Sequence, residues 1–250
     1  MKPFNLKYVI LLLVFILPVI TCTAQWSFGG RAGVNMCKLV GQMDEYSDGE
    51  YIYWLATPTG FALLNYQFNR TLSLSGELGY TTIGEEKIGL YNEFIPYSQN
   101  YTMKVHYNCA QTGTVLKVTI DCKWFDSYFL AGPFFMRIYG GRVVYDDGHT
   151  KRVYDYEWMS SDYRLYMEDS LFVHYRNRTY NFGLYGGAGF EKKIRPGIVG
   201  VDFRFGITLM DMIAFEKDST REKMKDHGYE PFRNLNFSIT LSYCYIPARK

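Results

Sequence analysis

The chain has 250 residues, 27 Lys and Arg against 25 Asp and Glu, a formal net charge of +2 and an aromatic content of 18%. Balanced charge without a basic stripe argues against nucleic acid as a partner, and abundant Tyr and Phe favour strands. Beyond the first 24 residues the cysteines Cys37, Cys109, Cys122 and Cys244 lack the paired short spacing of a zinc site.

At the N-terminus, Lys2 and Lys7 precede an apolar core from Tyr8 to Ile20 and a small-residue site at Cys22-Thr23-Ala24. This is the pattern of a secretory signal peptide over residues 1–24, cut before Gln25, with 25–250 as a single domain. The apolar core falls short of the about 20 residues that a spanning helix needs. Lipidation at Cys22 is the alternative, which Thr21 fits poorly. No later run is apolar enough to cross a bilayer as a helix, so the exported domain is either soluble or spans by strands.

Strand patterns then follow one another. From Trp26 to Met36, the residues Trp26, Phe28, Ala32, Val34 and Met36 alternate with Ser27, Gly29, Arg31, Gly33 and Asn35, the period of two that marks a strand. Gly60 to Phe68 places Ala62, Leu64, Tyr66 and Phe68 on one face. Thr71 to Ile83 sets Leu72, Leu74, Leu78 and Tyr80 against Ser73, Ser75, Glu77, Gly79 and Thr81. Val115 to Phe125 alternates Leu116, Val118, Ile120, Cys122 and Trp124 with Lys117, Thr119, Asp121 and Lys123. Tyr128 to Tyr139 carries Tyr128, Leu130, Phe134, Met136 and Ile138 on its apolar face. Tyr180 to Glu191, Val199 to Leu209 and Leu235 to Tyr245 complete eight strands.

The glycine-rich stretch FGLYGGAGFEKKIRPG, Phe182 to Gly197, is not a phosphate cradle, because Lys192-Lys193-Ile194-Arg195-Pro196 starts no helix. It reads as the sixth strand, with Gly183, Gly187 and Gly189 making room in a crowded interior beside Tyr185. Short connections fall at Asn69-Arg70, Asp126-Ser127 and Lys193 to Gly197, and long ones at 37–53, 84–112, 140–178 and 210–233. Within these, Val143 to Glu157 suggests a hairpin turning at Asp147-Gly148, and Asp218 to Gly228 a short capped helix. Cys37 and Cys109 fall in loops on one side, where they could form a disulfide in an exported protein or remain separate thiols.

An even number of strands with alternately short and long connections predicts an all-β fold: an eight-stranded antiparallel up-and-down transmembrane β-barrel with short periplasmic turns and long extracellular loops. A soluble barrel would also alternate, but two features favour lipid. The polar faces are rich in Gly, Ser, Thr and Asn, which suit a narrow lumen. The large aromatics also cluster as interface girdles: Trp26, Tyr66, Phe68, Trp124, Tyr128, Tyr243 and Tyr245 at the periplasmic end, with Trp54, Tyr80 and Tyr180 at the other.

The ordered fragments WSFGGRAGVNM, LSLSGELGYTTIG, DSYFLAGPFF, YNFGLYGGAGFE and VDFRFGITLMDM resemble PorT-like outer-membrane β-barrel proteins from Trp26 to Tyr245. The resemblance implies an outer-membrane location and, for the member that names the family, a part in protein secretion and gliding. It also implies recurring polar lumen positions at Glu77 on the third strand and at Asp202 and Arg204 on the seventh. The last strand resembles a signal to the barrel-assembly machinery, met by Tyr243 and Tyr245, although the chain continues for Ile246 to Lys250 where such barrels end on an aromatic.

Little points to catalysis. His106, His149, His174 and His227 all fall in the expected outer loops without metal-ligand spacing, and no cofactor or metal is expected. The acidic and tyrosine-rich loop from Tyr145 to Asp169 could meet a cation, a sugar or a protein. Arg31, Glu77, Lys117, Asp121, Arg137, Glu191, Asp202 and Arg204 are expected to form a polar lumen network, since eight strands leave an interior that side chains just fill. The leading expectation is a non-enzymatic barrel in outer-membrane lipid, meeting an envelope protein or an extracellular ligand through its loops. A lip-sited hydrolase and a small-solute channel are the alternatives.

Overall fold

The computed structural model describes residues 25–41, 50–89, 101–146, 148, 150–157, 163–166, 172–177, 179–211, 213–215, 231 and 233–247. The signal peptide expected at 1–24, the helix expected at 218–228, and most of the acidic and tyrosine-rich loop side chains lie outside them. Among the described residues there are thirteen strands: β1 (Gln25–Val40), β2 (Glu50–Tyr53), β3 (Leu55–Gln67), β4 (Leu72–Gly89), β5 (Tyr101–Ile120), β6 (Asp126–Asp146), β7 (Lys151–Glu157), β8 (Tyr163–Tyr166), β9 (Phe172–Asn177), β10 (Tyr180–Ile194), β11 (Gly197–Thr208), β12 (Ile213–Phe215) and β13 (Arg233–Tyr245).

Eight of them close a ring. β1, β3, β4, β5, β6, β10, β11 and β13 each pair antiparallel with the next, and β13 returns to β1 with registers from Phe28↔Tyr245 to Val40↔Arg233. This is the expected up-and-down order, and closure leaves no free edge among the eight staves. β2 pairs with β4, β7 with β6, and β8, β9 and β12 form a separate three-stranded sheet.

The turn end is tight. Between β3 and β4 the Asn69 carboxamide Oδ1 accepts hydrogen bonds from the backbone N–H groups of Thr71 (2.9 Å) and Leu72 (2.7 Å), so an asparagine side chain stands in for a backbone turn. β10 and β11 are joined by Arg195 and Pro196 alone, with Ile194 facing Gly197. The third turn is displaced from its expected place at Asp126-Ser127. It occupies 121–125, and Ser127 and Asp126 are rungs of β6 against Phe190 and Glu191. Alternation at Cys122 and Trp124 continues through the turn without a ladder behind it.

At the other end the staves overshoot. β4, β5 and β6 have 18, 20 and 21 residues, against 12 for β11 and 13 for β13, while a membrane strand needs about 9–11. Much of the expected loop 84–112 is therefore strand, paired from Gly84↔His106 to Gly89↔Tyr101. Beyond the lipid neither face needs to be apolar, so the period of two fades although the ladder persists. Ion pairs Lys87–Glu85 (3.3 Å) and Lys104–Glu86 (3.0 Å) decorate it. The hairpin expected at 143–157 is present, as β6 and β7 pair from Gly140↔Glu157 to Asp146↔Lys151. Gly148 takes a left-handed φ of 81° there, and its N–H donates to Asp146 Oδ1 at 3.0 Å.

Polarity is inverted relative to a soluble barrel. Leu78, Leu241, Phe129, Phe28 and Val34 are more than half exposed on the outside, while Ser27, Asn35, Thr57, Thr208, Asn234 and Thr240 are buried within.

β6 departs from expectation. Tyr128, Leu130, Phe134, Met136 and Ile138 all point into the lumen and are at most 5% exposed, while Phe129 and Phe135 lie outside. Both faces of β6 are apolar, so alternation alone cannot orient it. The facing strand decides: a Cβ at Gly183 would strike the Phe134 ring, and one at Gly189 the Tyr128 ring, so the bare glycines of β10 receive the large residues of β6. A bulge follows, where Asn108↔Gly140 gives way to Cys109↔Ile138 and Tyr139 is left unopposed. This extra residue reverses the parity of the strand beyond it, burying Gly141 and exposing Arg142.

Candidate functional site in the charged lumen

Inward positions on β1, β4 and β11 bring four charges together near mid-barrel. Glu77 on β4 accepts from Arg31 Nη2 on β1 at 2.8 Å, and from Arg204 Nη1 on β11 at 2.9 Å to each carboxylate oxygen. Arg204 Nη2 also donates to Asp202 Oδ2 at 3.2 Å. Asp202 accepts from the Tyr128 hydroxyl on β6 and from Thr240 Oγ1 on β13 at 3.4 Å. All four charged groups are at most 5% exposed, and two cations balance two anions. Buried charge is tolerated only when paired and hydrogen-bonded, and the terminal nitrogens of both arginines meet that condition, while their Nε groups are buried without a partner among the described residues.

Rings complete it. The Arg31 guanidinium lies 4.1 Å from the centroid of Phe61, and that of Arg204 is 5.9 Å from Tyr185. Tyr185 in turn packs against Phe134 at 4.3 Å between centroids. Closer to the turn end, Lys117 Nζ meets Glu191 Oε2 at 2.6 Å and lies 4.6 Å from the Tyr128 ring.

Three residues expected in this network or girdle lie elsewhere. Arg137 is outside the barrel, its guanidinium 5.6 Å from the Tyr180 ring, because β6 is turned the other way. Asp121 is exposed in the displaced turn. Tyr128 is a lumen residue, not an interface one. The other girdle residues are placed outside near the turn end, with Trp26 4.7 Å from Tyr66, Tyr66 4.9 Å from Phe68, and Trp124, Tyr243 and Tyr245 exposed. Phe61 and Thr240 complete the site without having been singled out from sequence, together with Tyr128, expected in the girdle, and Tyr185, expected in the lumen beside the β10 glycines. The available signal was the run of glycines on β10, which requires bulk opposite.

Between network and turn end lies a cavity of about 60 Å³, lined by Ser27, Asn65, Ser73, Ser75, Lys117 and Glu191 among others. It has room for a few waters and enough polar groups to hold them. Toward the loop end the lumen is filled by Met136, Ile138, Asn181, Thr208 and Asn234, all under 2% exposed. Cys37 and Cys109 are free thiols buried at this level, inside the barrel and not in loops. His106 likewise lies on the β5 extension, opposite Arg142 and Gly84. Among the described residues no group of three His, Cys, Asp or Glu side chains could hold a metal ion.

No family model matches the sequence, and no curated protein matches it. Among solved structures the chain is similar to Ail, the attachment invasion locus protein of Yersinia pestis, at 11% identity over 88% of this chain and 99% of that one, with a TM-score of 0.35. It is similar to the outer membrane protein OprG from Pseudomonas aeruginosa at 10% identity over 92% and 100%, with a TM-score of 0.44. For Neisserial surface protein A the values are 9%, 86%, 95% and 0.35. The closed ring of eight staves, apolar outside and charged within, makes this chain an antiparallel up-and-down β-barrel independently of these likenesses.

Proposed function

We propose that this chain is an integral outer-membrane β-barrel without enzymatic activity, and that its loop-end sheet serves surface recognition or the assembly of an envelope or secretion apparatus, as the PorT-like resemblance implies. The inverted polarity carries the reading: a ring whose outer face exposes Trp26, Phe28, Leu78, Phe129 and Leu241 is matched to lipid and not to water. The filled lumen argues against solute passage. The overshoot of β4, β5 and β6, extended sideways by β2 and β7, supplies a polar platform above the apolar band.

In-cell photocrosslinking from Val153, which is 50% exposed on β7, tests the role. Capture of an envelope or secretion component there, and not from the lipid-facing Leu241, is the expected result. Crosslinks that are the same from both positions would refute recognition through the platform. Separately, absence of conductance steps in planar bilayers is expected of a plugged lumen, and ion flow above background would overturn it.

A further inference from the structure

Arg137 occupies an unusual place on the outer surface. Register sets Tyr80, Ala110, Arg137 and Tyr180 in one row across β4, β5, β6 and β10. The next outward row toward the turn end is Leu78, Thr112, Phe135 and Phe182, of which Leu78, Phe135 and Phe182 are 65%, 45% and 41% exposed apolar residues. In the opposite direction the outward face soon turns polar, with His106 opposite Arg142 and Lys104 opposite Glu86. Arg137 thus stands where lipid tails give way to headgroups.

Its guanidinium is held as well as placed. It lies 5.6 Å from the Tyr180 centroid, and that ring is stacked on Phe135 at 5.7 Å and 23°. Tyr139, two residues along β6, exposes a further phenol, and Tyr80 in the same row exposes its ring while its hydroxyl donates to Asn108 Oδ1 at 3.0 Å. Lys104, higher on the same face, has Glu86 at 3.0 Å, and the lumen arginines have Glu77 and Asp202. Among the described residues Arg137 has no carboxylate partner. An arginine at the edge of a low-dielectric band, fixed by a ring and lacking an acid, is suited to a phosphate that its fork can engage through two N–H donors.

We propose that Arg137, framed by Tyr180, Tyr139 and Tyr80, is a binding site for the phosphate of a membrane-lipid headgroup in the loop-end leaflet. The inference rests on the membrane-barrel reading above, and the test separates the two. The full chain, purified in neutral detergent, is titrated with phosphatidic acid or with diacylglycerol of the same acyl chains, and retained lipid is counted by native mass spectrometry. Wild type is expected to retain phosphatidic acid in preference to diacylglycerol, with Arg137→Gln lowering phosphatidic acid retention by about tenfold or more. Lys104→Gln, which removes a cation already paired, is expected to leave retention unchanged.

Equal retention by wild type and Arg137→Gln would overturn the site, as would a loss just as large in Lys104→Gln, which would indicate diffuse charge attraction. Displacement by inorganic phosphate at the same concentration would identify an anion site without lipid specificity and overturn the lipid assignment. Failure of wild type to show heat-modifiable migration, or its recovery without detergent, would overturn the barrel reading itself and is seen independently of Arg137.

Discussion

Replacing Glu77 by alanine tests the lumen network most directly. In the intact barrel Glu77 receives three charge-assisted hydrogen bonds, one from Arg31 and two from Arg204, at 2.8–2.9 Å and 4% exposure. Without it the cluster passes from neutral to a single excess positive charge. Arg204 still has Asp202 at 3.2 Å, whereas Arg31 loses its carboxylate and keeps the Phe61 face at 4.1 Å and the Tyr185 hydroxyl. Breaking a buried pair by removing one partner costs about 3–5 kcal/mol, most of it from the charge left behind. Glu77→Ala is expected to lose stability on that order, read as a lower urea midpoint in vesicles and a lower temperature for the heat-modifiable shift on gels. Since Arg31 is the stranded group, Glu77→Ala with Arg31→Met should recover most of the loss, because it restores neutrality and leaves an apolar side chain beside Phe61. An unchanged midpoint in Glu77→Ala would refute the network as a source of stability. A double variant weaker than the single one would refute the assignment of Arg31 as the stranded charge.

The glycines of β10 give a paired prediction. A Cβ at Gly183 would strike both the Ile207 carbonyl oxygen and the Phe134 ring, while at Gly186 nothing lies within 4 Å. Gly183→Ala is therefore expected to cost about 1–3 kcal/mol by overpacking, and Gly186→Ala to stay within about 0.5 kcal/mol of wild type, both by urea unfolding. Equal effects would show that the lumen is looser there than described. His106, on the β5 extension beyond the apolar band, has its imidazole pKa lowered by burial first and then by Arg142 and Lys104, with Glu86 opposing. The folded form then binds fewer protons than the unfolded one, whose imidazole titrates at about 6.5. The contribution is complete above that value and is lost as pH falls through the lower folded pKa. Amide exchange in the β5–β6 ladder, taken relative to the intrinsic rate, which itself slows as pH falls, should accelerate on acidification through this window, and His106→Gln should remove that acceleration. An acceleration unchanged in the variant would show that another group is responsible.

Much of the architecture was legible from residues alone. Alternation at Trp26–Met36, Thr71–Ile83 and Val199–Leu209 identifies strands and their faces, since a stave between lipid and a polar lumen must alternate. Glu77, Asp202 and Arg204 are legible for the same reason: a charge on the inner side of an apolar strand has to be paired within the barrel. The lengths of β4 and β5 were not, because above the band backbone hydrogen bonding continues while the pressure to alternate ends. The orientation of β6 was not either. With Leu130, Phe134 and Met136 on one face and Phe129 and Phe135 on the other, local pattern is symmetric, and only closure against Gly183 and Gly189 breaks the symmetry.

That single strand accounts for the main changes to the site. Turning β6 brings Tyr128 onto Asp202 and places Arg137 at the surface beside Tyr180. Sequence determined that an eight-stranded ring would form, which end carried the short turns and that its core would hold compensated charge, because each of these follows from a period within one strand or a spacing between two. Tertiary structure alone decided which rings and charges meet, because that depends on the register and bulges accumulated around a closed barrel.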